Sequence, residues 1–329
     1  MYEEPIIDGA FNEKPELKPT KRGKIIFYAV LSLLVTIFII ICITDAYGFA
    51  LYIGIPLTLG FIFGFKNKIS FQFVKTAGIV LLIVMILSGL LILLKLEGAI
   101  CIIMIALPLF LFIFVGYGLG YIIYKNNLQK NKTIMSLLLL INPSFCVLDS
   151  QLEMYNQEVK TAIVINASKE KTWSTLINPV QYNQHPNILF KYGVNYPKIM
   201  KVVQLNDSAF LRCTLRNGKI DLNISKMYKD SLMEFQVTEP VIPIKELTVY
   251  KDINTPHSSD KFFKIHTGRF EIKALNDNQC LLTAKTDFSY KFAPNWYWKW
   301  WSTYLMNKMH VHVLDVIKEN AELAVVADK

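Results

Sequence analysis

Four apolar stretches, residues 25–44, 46–65, 76–94 and 98–124, stand almost end to end, and none carries a charge inside it. Each approaches the ~20 apolar residues an α-helix needs to cross a hydrocarbon core of roughly 30 Å. A buried helical core of a soluble protein does not fit, because four such runs in a row would have no polar face to show water. The first is too long for a signal peptide and is followed at once by further apolar runs, so it is expected to stay in the mature chain. The sequence therefore predicts an α-helical transmembrane bundle.

Orientation follows from the short loops. Lys14, Lys18, Lys21, Arg22 and Lys24 precede the first stretch, Lys66, Lys68 and Lys75 lie between the second and third, and Lys125, Lys130 and Lys132 follow the fourth. The other two connections hold only Asp45, and Lys95 with Glu97. Excess Lys and Arg marks cytoplasmic loops, so the N-terminus (1–24, a cytoplasmic tail whose first twenty residues are expected to be disordered) and the segment after Tyr124 are both expected to be cytoplasmic. The linker 125–149 then contains either a fifth, barely long enough span over 133–148 or an interfacial helix, and the side occupied by residues 150–329 depends on which. An integral multi-pass membrane protein is the expected localisation.

The net charge of +9 does not point to nucleic acid: no arginine-rich stripe and no recognisable nucleic-acid module accompanies it. Anionic headgroups explain the juxtamembrane lysines, which makes membrane lipids the expected partners and leaves any protein partner unknown. The five cysteines are scattered without a CxxC pair, so neither a zinc site nor a disulfide framework is expected; a Cys213–Cys280 bridge stays open. No metal and no cofactor is predicted.

From Glu158 the pattern changes to period two, with Val159, Thr161, Ile163 and Ile165 alternating with polar neighbours. Asn166, Ala167 and Ser168 end that strand, and Ser168 can cap a helix burying Trp173 and Leu176. Strand-like segments follow at 209–215, 219–227, 232–238, 247–251, 262–275 and 280–292, the last two joined by a polar turn at 276–279. A long helix, opened by Pro294 and carrying Tyr297, Trp301, Tyr304, Met309, Val313, Ile317 and Ala321 on one stripe, closes the chain. This predicts an α+β domain with a curved antiparallel sheet around the C-terminal helix.

The order of strand, Asn166–Ala167–Ser168, Trp173, meander, Phe270, then Tyr297–Trp298 with His310, Val313–Leu314 and Ile317–Lys318, resembles the SRPBCC superfamily, the START-like and polyketide-cyclase-like proteins of helix-grip fold. Gly193–Val194, Tyr196–Pro197, Arg212–Cys213, Gly218 and Gly268–Arg269–Phe270 resemble, more narrowly, uncharacterised bacterial membrane proteins that join several N-terminal spans to one such domain. The resemblance implies a cavity between sheet and last helix that binds a hydrophobic small molecule or lipid, and a place in the bacterial inner membrane.

Strand parity nominates the residues of that cavity. Met233, Phe235 and Val237, Phe270 and Ile272, and Leu282, Ala284, Phe288 and Tyr290 share the apolar face, with Tyr304, His310 and Leu314 from the helix. His310, Tyr290 and His266 are the catalytic candidates, since a cavity histidine can act as acid or base. His310 and His312 are about 200° apart on a helix and cannot share a metal, which leaves His312 facing solvent. Trp298 and Trp300, in a cluster with Trp296, Tyr297 and Trp301, are expected at the membrane interface. Three readings follow: a membrane-anchored binder of a hydrophobic molecule, a cyclase- or dehydratase-type enzyme, and a non-catalytic sensing or assembly module.

Overall fold

A computed structural model describes residues 21–44, 48–66, 73–93, 99–126, 132–182, 188–192, 194–205, 208–215, 218–238 and 261–327. The expected tail over 1–20 and the expected strand at 247–251 lie outside the described residues.

Helices stand at all four apolar stretches: α1 (Lys21–Thr44), α2 (Ile55–Lys66) led in by one π-helical turn (Ala50–Gly54), α3 (Phe73–Leu93) and α4 (Ala99–Lys125). A fifth, α5 (Lys132–Ser150), continues through Pro143. Among the described residues, Ile100–Lys125 is long and apolar enough to cross a membrane by length and composition, and Ala50–Phe65 and Ala77–Leu90 are shorter apolar helices.

Among the described residues, α2 and α4 pack with their backbones in close approach. Gly60 and Gly64 on one face Gly116 and Gly120 on the other, and a Cβ on Gly60 would run into the carbonyl of Ile113, one on Gly116 into that of Leu57. Small residues four apart let two backbones touch, which is how apolar helices associate where no hydrophobic gain separates one surface from another. Helix α5 is tied to α2 by polar groups. Asn142 Nδ2 donates to Thr58 Oγ1 at 2.9 Å, and the buried carboxylate of Asp149 accepts the amides of Phe49 (2.6 Å) and Ala50 (2.9 Å). Those amides open the helix of α2 and have no partner within it, so a carboxylate there satisfies donors and complements the helix dipole.

The second half is an eight-stranded antiparallel sheet: β1 (Tyr155–Ile165), β2 (Val180–Gln181), β3 (Pro197–Leu205), β4 (Ser208–Leu215), β5 (Gly218–Tyr228), β6 (Leu232–Gln236), β7 (Phe263–Asn276) and β8 (Gln279–Tyr290), in the order β1-β8-β7-β6-β5-β4-β3-β2. Helix α6 (Lys169–Ile177) is capped by Ser168, whose side chain accepts from the Lys171 amide, and buries Trp173 and Leu176. A short α7 (Ile188–Tyr192) precedes β3. The 33-residue α8 (Asn295–Ala327) packs along the concave face, with Val313, Leu314, Ile317 and Ala321 in one core with Ile165, Met233, Ile272 and Leu282. A curved sheet gripping a C-terminal helix is the helix-grip arrangement.

No bridge joins Cys213 to Cys280: both are free thiols. They sit on β4 and β8, four strand spacings apart, or about 19 Å, well beyond disulfide reach.

Replacing Gly116 with leucine should destabilise the purified full chain by about 2 kcal/mol or more, read as a lower thermal midpoint, since the side chain meets backbone rather than a movable neighbour. Gly118, whose Cβ position has no atom within 4 Å, is the control; Gly118→Leu should change stability by no more than about 0.5 kcal/mol.

Candidate functional site

Between the concave face of the sheet and α8 lies a cavity of about 270 Å³. Its walls are almost wholly apolar. Leu211, Cys213 and Leu215 come from β4, Ile220 and Leu222 from β5, Phe235 and Val237 from β6 and its end, Phe263, Ile265 and Phe270 from β7, and Ala284 and Tyr290 from β8. Helix α8 supplies Leu305, Met306, Met309, His310 and Val313. Alternation produces this lining, because every second residue of each strand turns inward.

Half of the twelve residues nominated from parity reach the cavity: Phe235, Val237, Phe270, Ala284, Tyr290 and His310. Met233, Ile272, Leu282 and Leu314 are buried in the packed core beyond it, where α8 lies directly on the sheet and leaves no space. Phe288 packs against Phe263 and Tyr290. Tyr304 falls on another face of α8, stacked on Trp300 with the Lys308 ammonium 5.9 Å from its ring centre.

His266 is displaced from the inward face. A register shift between Ile265 and Thr267 inserts one residue into β7. Such a bulge reverses the parity upstream of it, bringing Phe263 and Ile265 inward and leaving His266 exposed, its Nε2 2.8 Å from Ser289 Oγ. Tyr290, at the other end of its strand from the core, bonds through its hydroxyl to Asn295. Burial pushes that hydroxyl up to about 12, so it stays protonated. Four residues of strand, about 13 Å, separate Tyr290 from Thr286, the residue that bonds His310. The three catalytic candidates are thus not assembled around one point.

His310 is buried, and both ring nitrogens are engaged. Nε2 lies 2.8 Å from Thr286 Oγ1 and Nδ1 lies 3.1 Å from Thr161 Oγ1. Thr161 donates its one hydroxyl proton to Asn307 Oδ1 at 2.8 Å. The threonine must therefore accept from Nδ1–H, and Nε2 accepts from Thr286. Burial lowers the histidine to about 4, which leaves the ring neutral and a weak base at neutral pH. His312 does not face solvent. Its ring packs on Tyr182 (5.5 Å) and edge-on to Tyr196 (5.9 Å), because α8 is covered there by the segments flanking α7. No group of three potential ligands for a metal occurs among the described residues.

One wall was not anticipated. Tyr52 and, from α4, Cys101, Met104 and Ile105 also line the cavity. Trp298, expected on the surface, is buried there: its ring lies 5.3 Å from Tyr52 and 5.0 Å from Phe292, and its Nε1–H donates to the Ala293 carbonyl. The hydroxyl of Tyr297 donates to the Met104 carbonyl. Trp300 is exposed, as is Trp296.

No family model and no curated protein matches the chain. Among solved structures it is similar to the Zhui aromatase/cyclase from Streptomyces sp. R1128, at 11% identity over 52% of this chain and 96% of that one, with a TM-score of 0.31. It is also similar to truncated norcoclaurine synthase from Thalictrum flavum (10%, 54% and 99%, TM-score 0.31) and to a START superfamily protein from Mycobacterium smegmatis (16%, 52% and 99%, TM-score 0.29). What makes the second half a helix-grip domain is the sheet order and the helix in its groove.

Acid titration offers a check on His310. Its folded pKa is depressed, so the unfolded chain takes up a proton first as pH falls from about 6.5 toward 4, and stability declines through that window. A loss of about 2 to 3 kcal/mol is expected at roughly 1.4 kcal/mol per unit, and a His310→Leu variant should show a flatter melting-temperature profile between pH 7 and 4.

Proposed function

We propose that this chain is a multi-pass membrane protein whose START-like domain holds a hydrophobic small molecule, a lipid or an isoprenoid, in the cavity between sheet and α8. The observation that carries the reading is the cavity itself: about 270 Å³ walled mainly by aliphatic, aromatic and thioether side chains, with His310 bonded to Thr286 on one side and Asn195, Arg269, Lys285 and Ser302 as the other polar residues of the lining. Pockets of this make-up favour apolar ligands oriented by a few polar contacts.

The membrane reading is supported by what the helices leave uncovered. Leu81, Leu82, Met85, Ile86 and Leu90 on α3, and Ile103, Leu107, Leu111, Val115, Leu119 and Ile122 on α4, are all exposed. A continuous apolar exterior of this extent needs lipid rather than water around it. Exposed Trp296 and Trp300, beside the contact of α8 with the first half, suit a bilayer interface. Acid–base catalysis has weaker support, because His310 is neutral, doubly bonded to threonines and remote from Tyr290 and His266.

Extraction of the full chain from its host membranes in mild detergent, followed by native and lipid mass spectrometry, tests the proposal. A bound hydrophobic molecule at near-stoichiometric level is expected. Ala284→Trp, which fills the cavity from β8, should cut it at least ten-fold without loss of the folded chain. A wild-type chain that is folded and empty would overturn the reading.

A further inference from the structure

Two sets of connections distinguish the ends of the helical half. At one end are the first turn of α1, which holds Lys21, Arg22 and Lys24 in sequence, and the α2–α3 and α4–α5 connections, which the sequence fills or flanks with Lys66, Lys68, Lys75, Lys125, Lys130 and Lys132. At the other end, α5 finishes where α2 begins, because Asp149 accepts the Phe49 and Ala50 amides. The Asn142–Thr58 bond, seven residues earlier on α5 and eight later past Ala50, keeps the two helices antiparallel to that depth. Helix α5, 19 residues or about 28 Å long, therefore runs from the basic end to the opposite one. The sheet domain emerges and docks at the end without the lysine clusters, through Tyr52 with Trp298 and Met104 with Tyr297.

This contact is also part of the cavity. Met104 is five residues into α4, about 8 Å from its start, so the wall it forms with Cys101 and Ile105 lies within the depth of one leaflet. Ile103 and Leu107, on the outer side of the same turns, are 54% and 66% exposed. One helix thus has the cavity on one face and the lipid-facing surface on the other.

We propose that the membrane segment is a working wall of the binding site, and that the cavity takes the aliphatic chain of a bilayer lipid from the leaflet opposite the lysine-rich loops, at the seam where α2 and α4 meet α8. This rests on the hydrophobic-ligand reading above and adds the ligand's source, its route and the side of the membrane. By the bias of Lys and Arg toward the cytoplasm, that leaflet is the outer one and α5 is a fifth span.

The test uses the full chain in sealed vesicles of phosphatidylethanolamine and phosphatidylglycerol, with a trace of phosphatidylglycerol bearing a diazirine on its acyl chain. After photolysis, adducts are expected on α4 around Met104 and on the strands around Phe270 and Ala284. Met104→Trp, which fills the seam, should reduce the strand adducts at least five-fold, whereas Met104→Ala should keep them. Strand adducts that ignore Met104→Trp and form equally from a diazirine fatty acid added in water would overturn access from the leaflet and leave the hydrophobic-ligand reading standing. Absence of strand adducts with either probe would overturn both. Sidedness is read separately: a cysteine at exposed Lys229 (Lys229→Cys) should react with a membrane-impermeant maleimide in spheroplasts, above the level of the parent chain, and reaction only after permeabilisation would overturn the outward placement.

Discussion

A buried carboxylate, that of Asp149, determines where the second half of the chain begins. It is held by two amides at the start of α2 that have no partner inside their own helix. Taking either side of this contact away would leave buried polar groups unpaired, a penalty larger than the contact's net gain. Five residues beyond Ser150 the first strand starts, so the position of Asp149 leaves the sheet little freedom. Tyr52 and Met104 then meet Trp298 and Tyr297, and the open end of the grip is covered by helices of the first half.

That closure answers a packing problem. A curved sheet around one helix is filled at the end where the two converge, by Met233, Ile272, Leu282, Leu314 and Ile317. At the other end sheet and helix diverge, and side chains from these two elements alone do not fill the space. Aromatic rings do part of the work there: Tyr155, Phe288, Tyr290, Phe292 and Trp298 form a chain of ring contacts with centres 5.0 to 6.4 Å apart. The remaining volume is the cavity. His310 sits inside it as a neutral group whose two threonine partners satisfy both nitrogens, which is how a polar ring is accommodated in apolar surroundings without a charge.

Much of the domain was legible in the sequence because strands and an amphipathic helix leave periodic traces. Period two located β1, β4 to β8 and the inward residues Phe235, Phe270 and Ala284, and period 3.6 located α8 and His310. Three kinds of feature left no trace. The bulge at Ile265–Thr267 adds one residue, and with it the inward and outward sets exchange, so the pattern nominates His266 for the cavity and does not nominate Phe263 and Ile265, which line it. Parity also says which face a side chain takes but not how far the opposing helix stands from it, so core residues such as Met233 and Leu282 look the same as cavity residues. The wall formed by Tyr52, Cys101, Met104 and Ile105 was illegible for a third reason: in a stretch apolar on every face, no residue is distinguished as facing a partner.

Trp298 and Trp300 show how one pattern can serve two purposes. Two residues apart on a helix, they point in nearly opposite directions. One is buried against Tyr52 and Phe292, and the other is 58% exposed on the far side. An aromatic cluster at the start of α8 is thus partly the mortar between the two halves and partly surface. Because Tyr297 and Trp298 take the first role, the orientation of Trp296 and Trp300 is no longer free: they must flank the docking contact rather than form it. A bilayer surrounding α2 and α4 would meet those two rings beside the contact, so docking of the halves and any seating of the domain on lipid are set by the same turn of helix.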